Sequence, residues 1–247
     1  MTVGGAGDAT APRRRDARRN RELLVEAAHE VFTELGLQAP LDVIARRAGV
    51  GNATLYRHFP TRAALIDAVF RGQLGETVAA GELARTAPDA WTGLDTYLRA
   101  VFRTLAADRG TNDLMTTHVQ GIEALDDVHA HNRETLELLL ERGREEGTIR
   151  ADVTTEDVLF ALAALGRAVP ALTAATAGAA ETAATAETAG ADATAPDAWY
   201  RPLALFLDGL RPAPAVLPGP ALTTAQLGDV LRELGPHRAP VRSVREE

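Results

Sequence analysis

From Arg19 to Leu35 the apolar positions Leu23, Leu24, Ala27, Ala28, Val31, Phe32 and Leu35 return every three or four residues, the spacing of one helix face. Gly36 then predicts a helix stop, because it takes positive φ without a Cβ penalty. A shorter helix is predicted over residues 41–48, with Leu41, Ile44, Ala45 and Ala48 inward. Pro40 fits its first turn, where a missing N–H does no harm. Gly49-Val50-Gly51 predicts a tight turn, and a third helix follows over residues 52–59 until Pro60 halts it. Thr61 is placed to cap a fourth helix that carries Leu65, Ile66, Val69, Phe70 and Leu74.

The helical spacing continues past residue 80. Residues 89–108 carry Trp91, Leu94, Leu98, Val101, Phe102 and Leu105 on one face, and a short segment over 112–119 follows a break at Arg109-Gly110. Residues 125–146 predict a longer amphipathic helix with a stripe of Leu136, Leu139 and Leu140, ended by Gly147. Thr154 or Thr155 caps the next helix, whose run Val158-Leu159-Phe160-Ala161-Leu162 is apolar on nearly every side. Such a helix is buried or lies in an interface. Residues 199–210 predict a second of this kind. Residues 173–197 are almost entirely Ala, Thr, Gly and acids, which predicts a flexible insert, since no large apolar side chain offsets the entropy of ordering. An Ala-driven extension of a neighbouring helix is the competing reading. RPAPAVLPGP, from Arg211, is a Pro-rich linker, and residues 222–234 predict a small amphipathic helix docking on the body. No alternation of period two is long enough for a strand. The fold is expected to be all-α.

Composition narrows the function. The 247 residues are 46% hydrophobic and 24% charged, the balance of a globular protein with a sizeable core. No apolar run approaches the roughly 18 residues of a membrane span. The start, MTVGGAGDATAPRRRDARRNR, has no apolar signal core, and without cysteine there is neither a disulfide framework nor a thiolate metal site. A cytoplasmic protein with no membrane partner, metal or cofactor is expected. The net charge of −8 is unevenly spread: residues 1–62 hold ten Arg against seven acids (+3), and the rest sixteen Arg against twenty-seven acids (−11). Arg13, Arg14, Arg15, Arg18, Arg19 and Arg21 cluster at the start. A cationic end on an anionic body suits a polyanion bound at one end, although a basic solubilising tail has the same composition.

The segment PLDVIARRAGVGNATLYRHFPTRAAL, residues 40–65, holds the chemistry. Two short helices joined by a glycine-containing turn form a helix-turn-helix, whose second helix enters the DNA major groove. That helix presents Asn52, Ala53, Thr54, Tyr56, Arg57 and His58, while Leu55 and Phe59 point to the core. Short side chains at its start suit base edges, and Tyr, Arg and His further along suit phosphate oxygens. Tyr56 is expected to pack its ring and place its hydroxyl on a phosphate. Arg46 and Arg47 form a solvated face or touch the DNA backbone, and His29 is structural.

Ile44-Ala45, Ala48-Gly49-Val50 and Thr54-Leu55-Tyr56-Arg57-His58-Phe59-Pro60, followed by Leu65, together resemble the tetracycline-repressor (TetR) family of bacterial regulators. The resemblance runs from Leu23 to about Phe70. It implies DNA contacts by Thr54, Tyr56 and His58, with Arg62 in the place of a lysine that clamps a phosphate. Arg brings a planar fork in place of a point charge. Gly51 stands where the family has Ser, and Ala39-Pro40 replaces a hydroxyl pair, so phosphate hydrogen bonds are lost there. The resemblance also implies a C-terminal helical domain that dimerises through helices over 155–168 and 199–210 and encloses a small-molecule pocket. Residues 91–110, WTGLDTYLRAVFRTLAADRG, are similar to one subgroup of the family. Trp91, Tyr97, Phe102, Met115, His118 and Phe160 are the pocket candidates, each of which also suits a core position.

The expected organisation is a flexible basic arm (1–18), a three-helix helix-turn-helix domain (19–66), a ligand-binding and dimerisation domain with an insert at 173–197 (67–210), and a linker with a small helix (211–247). The expected function is a homodimeric repressor on palindromic double-stranded operator DNA, released by a small-molecule effector; the alternative is a DNA-binding regulator without a ligand. An enzyme is disfavoured, because there is no Gly-rich phosphate loop, GxSxG, HExxH or cysteine nucleophile. Asp126-Asp127 and Glu145-Glu146 are adjacent and so diverge around a helix, and His129 and His131 are two apart, the wrong spacing for a shared metal.

Overall fold

The computed structural model describes residues 10–116, 121–184 and 198–234, and every regular element among them is a helix. The order is α1 (Thr10–Leu35), α2 (Leu41–Arg47), α3 (Asn52–His58), α4 (Arg62–Arg85), α5 (Ala90–Ala107), α6 (Arg109–Thr116), α7 (Glu123–Glu145), α8 (Thr155–Ala184), α9 (Tyr200–Gly209) and α10 (Thr224–Leu234).

Local chemistry sets most of the boundaries. Gly36 and Gly49 close α1 and the α2–α3 turn at φ 81° and 68°, values that any side chain would resist. Thr61 accepts from the Ala64 N–H and Asp89 from the Thr92 N–H, so α4 and α5 begin on side-chain caps. Thr154 and Asp157 satisfy each other's N–H groups in a reciprocal cap at the start of α8.

Three expectations need correcting. In place of a flexible arm over 1–18, α1 already runs from Thr10, because Ala and Arg are good helix formers and Arg18 pairs with Glu22 one turn on. In place of a break at Arg109-Gly110, α6 starts at Arg109; the chain turns at Asp108, whose carboxylate takes the Thr111 N–H and hydroxyl. In place of an insert opening at Thr173, α8 continues to Ala184; residues 185–197 lie outside the described residues.

Two apolar cores form. The first joins Leu24, Ala28 and Phe32 of α1, Ile44 and Ala45 of α2, Leu55 of α3, Phe59, and Leu65, Ile66 and Phe70 of α4. It does not end at residue 66, since Leu114 of α6, Ile122, and Leu125 and Val128 of α7 complete it. The second gathers α5, α7, α8 and α9 around Leu98, Phe102, Leu136, Leu139 and Leu203. Met115 touches both. α4 and α7 run close together where Gly81 faces His131, and a Cβ at Gly81 would overlap that ring. Beside it, the Arg85 guanidinium donates to the Thr135 hydroxyl at 2.9 Å and the His131 carbonyl at 3.3 Å.

Thr155–Ala174, with mean hydropathy 1.5 over 20 residues, is long and apolar enough to cross a bilayer, contrary to the expectation that no stretch comes near that length; alanines make up the difference. Here the helix packs against α5, α6, α7, α9 and α10. Pro170 lies within it and cannot donate to the Gly166 carbonyl one turn back. The side-chain amide of Asn112 fills that gap, donating to Gly166 O at 2.7 Å and to Leu105 O, near the end of α5, at 3.2 Å.

Candidate DNA-binding surface and sensor cavity

With seven residues, α3 is too short to persist alone. Two buried anchors hold it: Leu55 and Phe59 are 1% and 2% exposed, and each contributes about 1.5–3 kcal/mol by burial. Their placement turns Asn52, Ala53, Tyr56 and Arg57 to solvent, with Thr54 and His58 half-buried at the edges of the same surface. Tyr56 is 53% exposed, so about half of its surface is covered by the fold and the rest is open to solvent. The Arg21 guanidinium lies 4.9 Å from the centroid of the Phe59 ring, which brings the basic start of α1 beside the end of α3.

Two basic residues of this region have internal tasks. Arg62 donates from one guanidinium nitrogen to both Leu37 O (2.9 Å) and Ala39 O (2.7 Å), which ties the α1–α2 loop to α4. Desolvation lowers its pKa from the usual arginine value. That nitrogen of Arg62 is therefore engaged inside the fold. Arg47 holds Glu34 at 2.9 Å and Glu30 at 3.1 Å, joining α2 to α1, while Arg46 pairs with Asp42 along α2. Sequence reasoning missed the grip of Arg62, because backbone carbonyls of a loop leave no signature in residue type.

A cavity of about 230 Å³ lies within the larger domain. Val101 and Leu105 of α5, Met115 of α6, and Leu159, Leu162 and Ala163 of α8 form its apolar wall. Thr116, His129, Asn132 and Arg133 make the polar side, and α10 adds a further wall with Leu227 and Leu231. The carbonyl oxygen of Asn132 accepts from the buried Tyr97 hydroxyl at 2.5 Å, which leaves the amide N–H groups for a bound molecule. Arg133 reaches Glu156 at 2.8 Å.

Of the five pocket candidates among the described residues, only Met115 lines this cavity. Tyr97 stands behind it, orienting Asn132 from the core. Phe102 is buried against Trp199, with ring centroids 5.9 Å apart. Trp91 lies under the Arg211 guanidinium, 3.7 Å from its ring centroid, away from the cavity. Phe160 is on the outer side of α8, 40% exposed, and His118 lies outside the described residues. The wall residues missed from the sequence are mostly aliphatic. Only position in space separates them from ordinary core.

Residues 24–69 match the family model for bacterial regulatory proteins of the tetR family, and residues 89–212, half of the chain, match that of the SbtR-like transcriptional regulator C-terminal domain. The chain belongs to the TetR family. The HTH-type transcriptional repressor KstR2 of Rhodococcus jostii is 25% identical over 144 residues, which cover 55% of this chain and 71% of that protein. Among solved structures, the TetR regulator SCO0520 of Streptomyces coelicolor is 31% identical over 78% of this chain and 99% of its own, at TM-score 0.45. The ketosteroid regulator KstR2 of Mycobacterium tuberculosis is 21% identical, covers 78% of this chain and 95% of its own at TM-score 0.51, and shares the fold. As a TetR-family member the protein is a DNA-binding transcriptional regulator and not an enzyme. Both family models stop before α10, a helix that lines the cavity.

Proposed function

We propose that this TetR-family regulator is a cytoplasmic homodimeric repressor that binds palindromic operator DNA and lets go when a small effector enters the cavity between α5, α6, α7 and α8. The observation that carries this reading is the position of α6. Met115 lines the cavity and touches the core of the helix-turn-helix domain, and Gly110 lies so close to Phe70 of α4 that a Cβ there would come within 2.7 Å of its ring. A molecule that displaces α6 therefore shifts α4 and, with it, α3. An effector acts only through unequal binding to the two arrangements. In a twofold dimer the two α3 helices must sit about 34 Å apart, or a multiple of it, to read adjacent major grooves.

The dimer is supported by the outer faces of α8 and α9. Only 28% of the apolar stretch Thr155–Ala174 is buried, and Phe160, Ala164, Ala168 and Ala171 form an exposed stripe along it. Leu205 and Tyr200 of α9 are also exposed, at 67% and 47%. Two such helices from each protomer make a four-helix interface.

On DNA, Asn52, Ala53 and Thr54 face base edges, while Tyr56, Arg57 and His58 face phosphates; Arg62 supports the surface from behind. Tyr56→Phe should weaken binding to every sequence alike, whereas Asn52→Ala should change which operator is preferred. A shift in sequence preference by Tyr56→Phe, with none by Asn52→Ala, overturns the assignment. For sensing, Leu162→Trp fills the cavity. It should abolish effector release while leaving effector-free operator affinity intact, read by fluorescence anisotropy. A screen of small apolar metabolites by thermal shift separates this reading from a regulator without ligand, since a compound that binds only the fold raises Tm.

A further inference from the structure

The tail beyond residue 212 lies outside both family models, yet it is fastened to the body at successive points. Arg211 stacks on Trp91. The Arg150 guanidinium donates to Ala215 O at 2.7 Å, and the Leu217 N–H donates to the Asp152 carboxylate at 2.7 Å, these two side chains being paired with each other at 2.6 Å. After Leu217 come Pro218, Gly219 (φ 78°) and Pro220, a stretch with few backbone donors, and then α10. The attachment of α10 itself is slight. Leu227 is buried, Gly228, Val230 and Leu231 are half-buried, and the Thr224 hydroxyl donates to Glu156 at 2.8 Å. Thr223, Ala225, Gln226, Asp229, Arg232 and Glu233 are exposed. At 11 residues, α10 is below the roughly 12–15 that an isolated helix needs, so once undocked it unravels.

We propose that α10 is a lid which this chain supplies for its own cavity, hinged at residues 218–223, and that it retains a small apolar compound whose head accepts hydrogen bonds. The proposal rests on the reading of this cavity as the effector site. Access follows from the walls: Thr224, Leu227, Gly228 and Leu231 of α10 lie across a cavity whose other described walls come from α5 to α8. Size follows from the volume, about 230 Å³, below the roughly 300–1,000 Å³ of sites for drug-sized molecules. Head chemistry follows from the donors. Tyr97 occupies the Asn132 carbonyl oxygen, so that residue offers N–H groups, and Arg133, the cation of the wall, offers more. Because Glu156 already balances Arg133 at 2.8 Å, an acceptor is called for rather than a full negative charge, and a cationic head is disfavoured. One oxygen of Glu156 accepts from both Arg133 and Thr224, so the polar wall and the lid share a latch.

The chain has no cysteine, so Ala163→Cys places a single thiol in the cavity wall with no background. Its reaction with 5,5′-dithiobis(2-nitrobenzoate) then times the opening of the lid, without DNA or a known effector. In the full chain the thiol should react slowly. Leu227→Ala should speed the reaction at least tenfold and Thr224→Val severalfold, while ending the chain after Leu217 should bring it near the rate of a free thiol. Operator binding by each variant checks that the helix-turn-helix domain stays folded. Equal rates in the full chain, the Thr224→Val protein and the truncated protein overturn the lid. The neutral acceptor 2-decanone should protect the introduced thiol, and decyltrimethylammonium should not. Equal protection by both, or by neither, overturns the head chemistry. If the lid behaves as described but 2-decanone leaves operator affinity unchanged, the lid stands and the repressor reading is what fails.

Discussion

The contact between Asn112 and the gap that Pro170 leaves in α8 predicts a specific energetic coupling. Asn112→Ala removes donors to Gly166 O and Leu105 O, 2.7 and 3.2 Å away in a buried setting. Each buried carbonyl left without a partner costs about 1–3 kcal/mol. The substitution also removes the Asn112 Oδ1, which is buried without a partner, and so returns about 1 kcal/mol. A net loss of about 1–5 kcal/mol is expected. Pro170→Ala restores an N–H that can serve Gly166 O from within the helix, so in that background Asn112→Ala should cost about 1–2 kcal/mol less. Urea unfolding of the four proteins, followed by circular dichroism at one fixed chain concentration, gives the cycle. If Asn112→Ala costs the same in both backgrounds, to within about 0.5 kcal/mol, the side chain does not substitute for the missing backbone donor.

Arg62→Ala should lower stability by about 1–3 kcal/mol and speed amide exchange in the α1–α2 loop, since a charged donor leaves two carbonyls; unchanged stability with weakened DNA binding would instead return Arg62 to a phosphate. Tyr97→Phe strands the buried Asn132 oxygen and should cost about 1–3 kcal/mol in urea unfolding without altering operator affinity, and a neutral result would mean that the amide has turned to another partner. The Arg150 guanidinium and then the Leu217 N–H hold the Asp152 carboxyl well below the usual carboxylate range. The strap's hold is therefore complete above the unfolded value, about pH 4, and is lost only as pH falls further, through the depressed folded value. The Leu217 amide resonance followed by NMR should stay unchanged from about pH 7 to about pH 4; a midpoint near pH 4 would show that the pairing does not stabilise the ionised form.

The helices and their stops were legible in the sequence because periodicity, caps and breakers act within a turn or two of chain. Gly36, Thr61 and the alternation of Leu55 and Phe59 with Tyr56 and Arg57 needed no tertiary context to place the outward face of α3. The same local information did not locate the cavity. Aromatic residues look like pocket linings in composition, but Phe102 and Tyr97 fill core space, and the cavity lies where Leu159, Leu162 and Leu105 fail to meet. A void is a property of several helices at once, so no single stretch encodes it. Arg62 turned inward for a similar reason, its partners being carbonyls set in place by a loop 23–25 residues earlier. α10 shows both halves of the matter. Its apolar spacing marks a helix that docks, and only the packing of α5 to α8 makes the docking site a cavity in need of a closing wall.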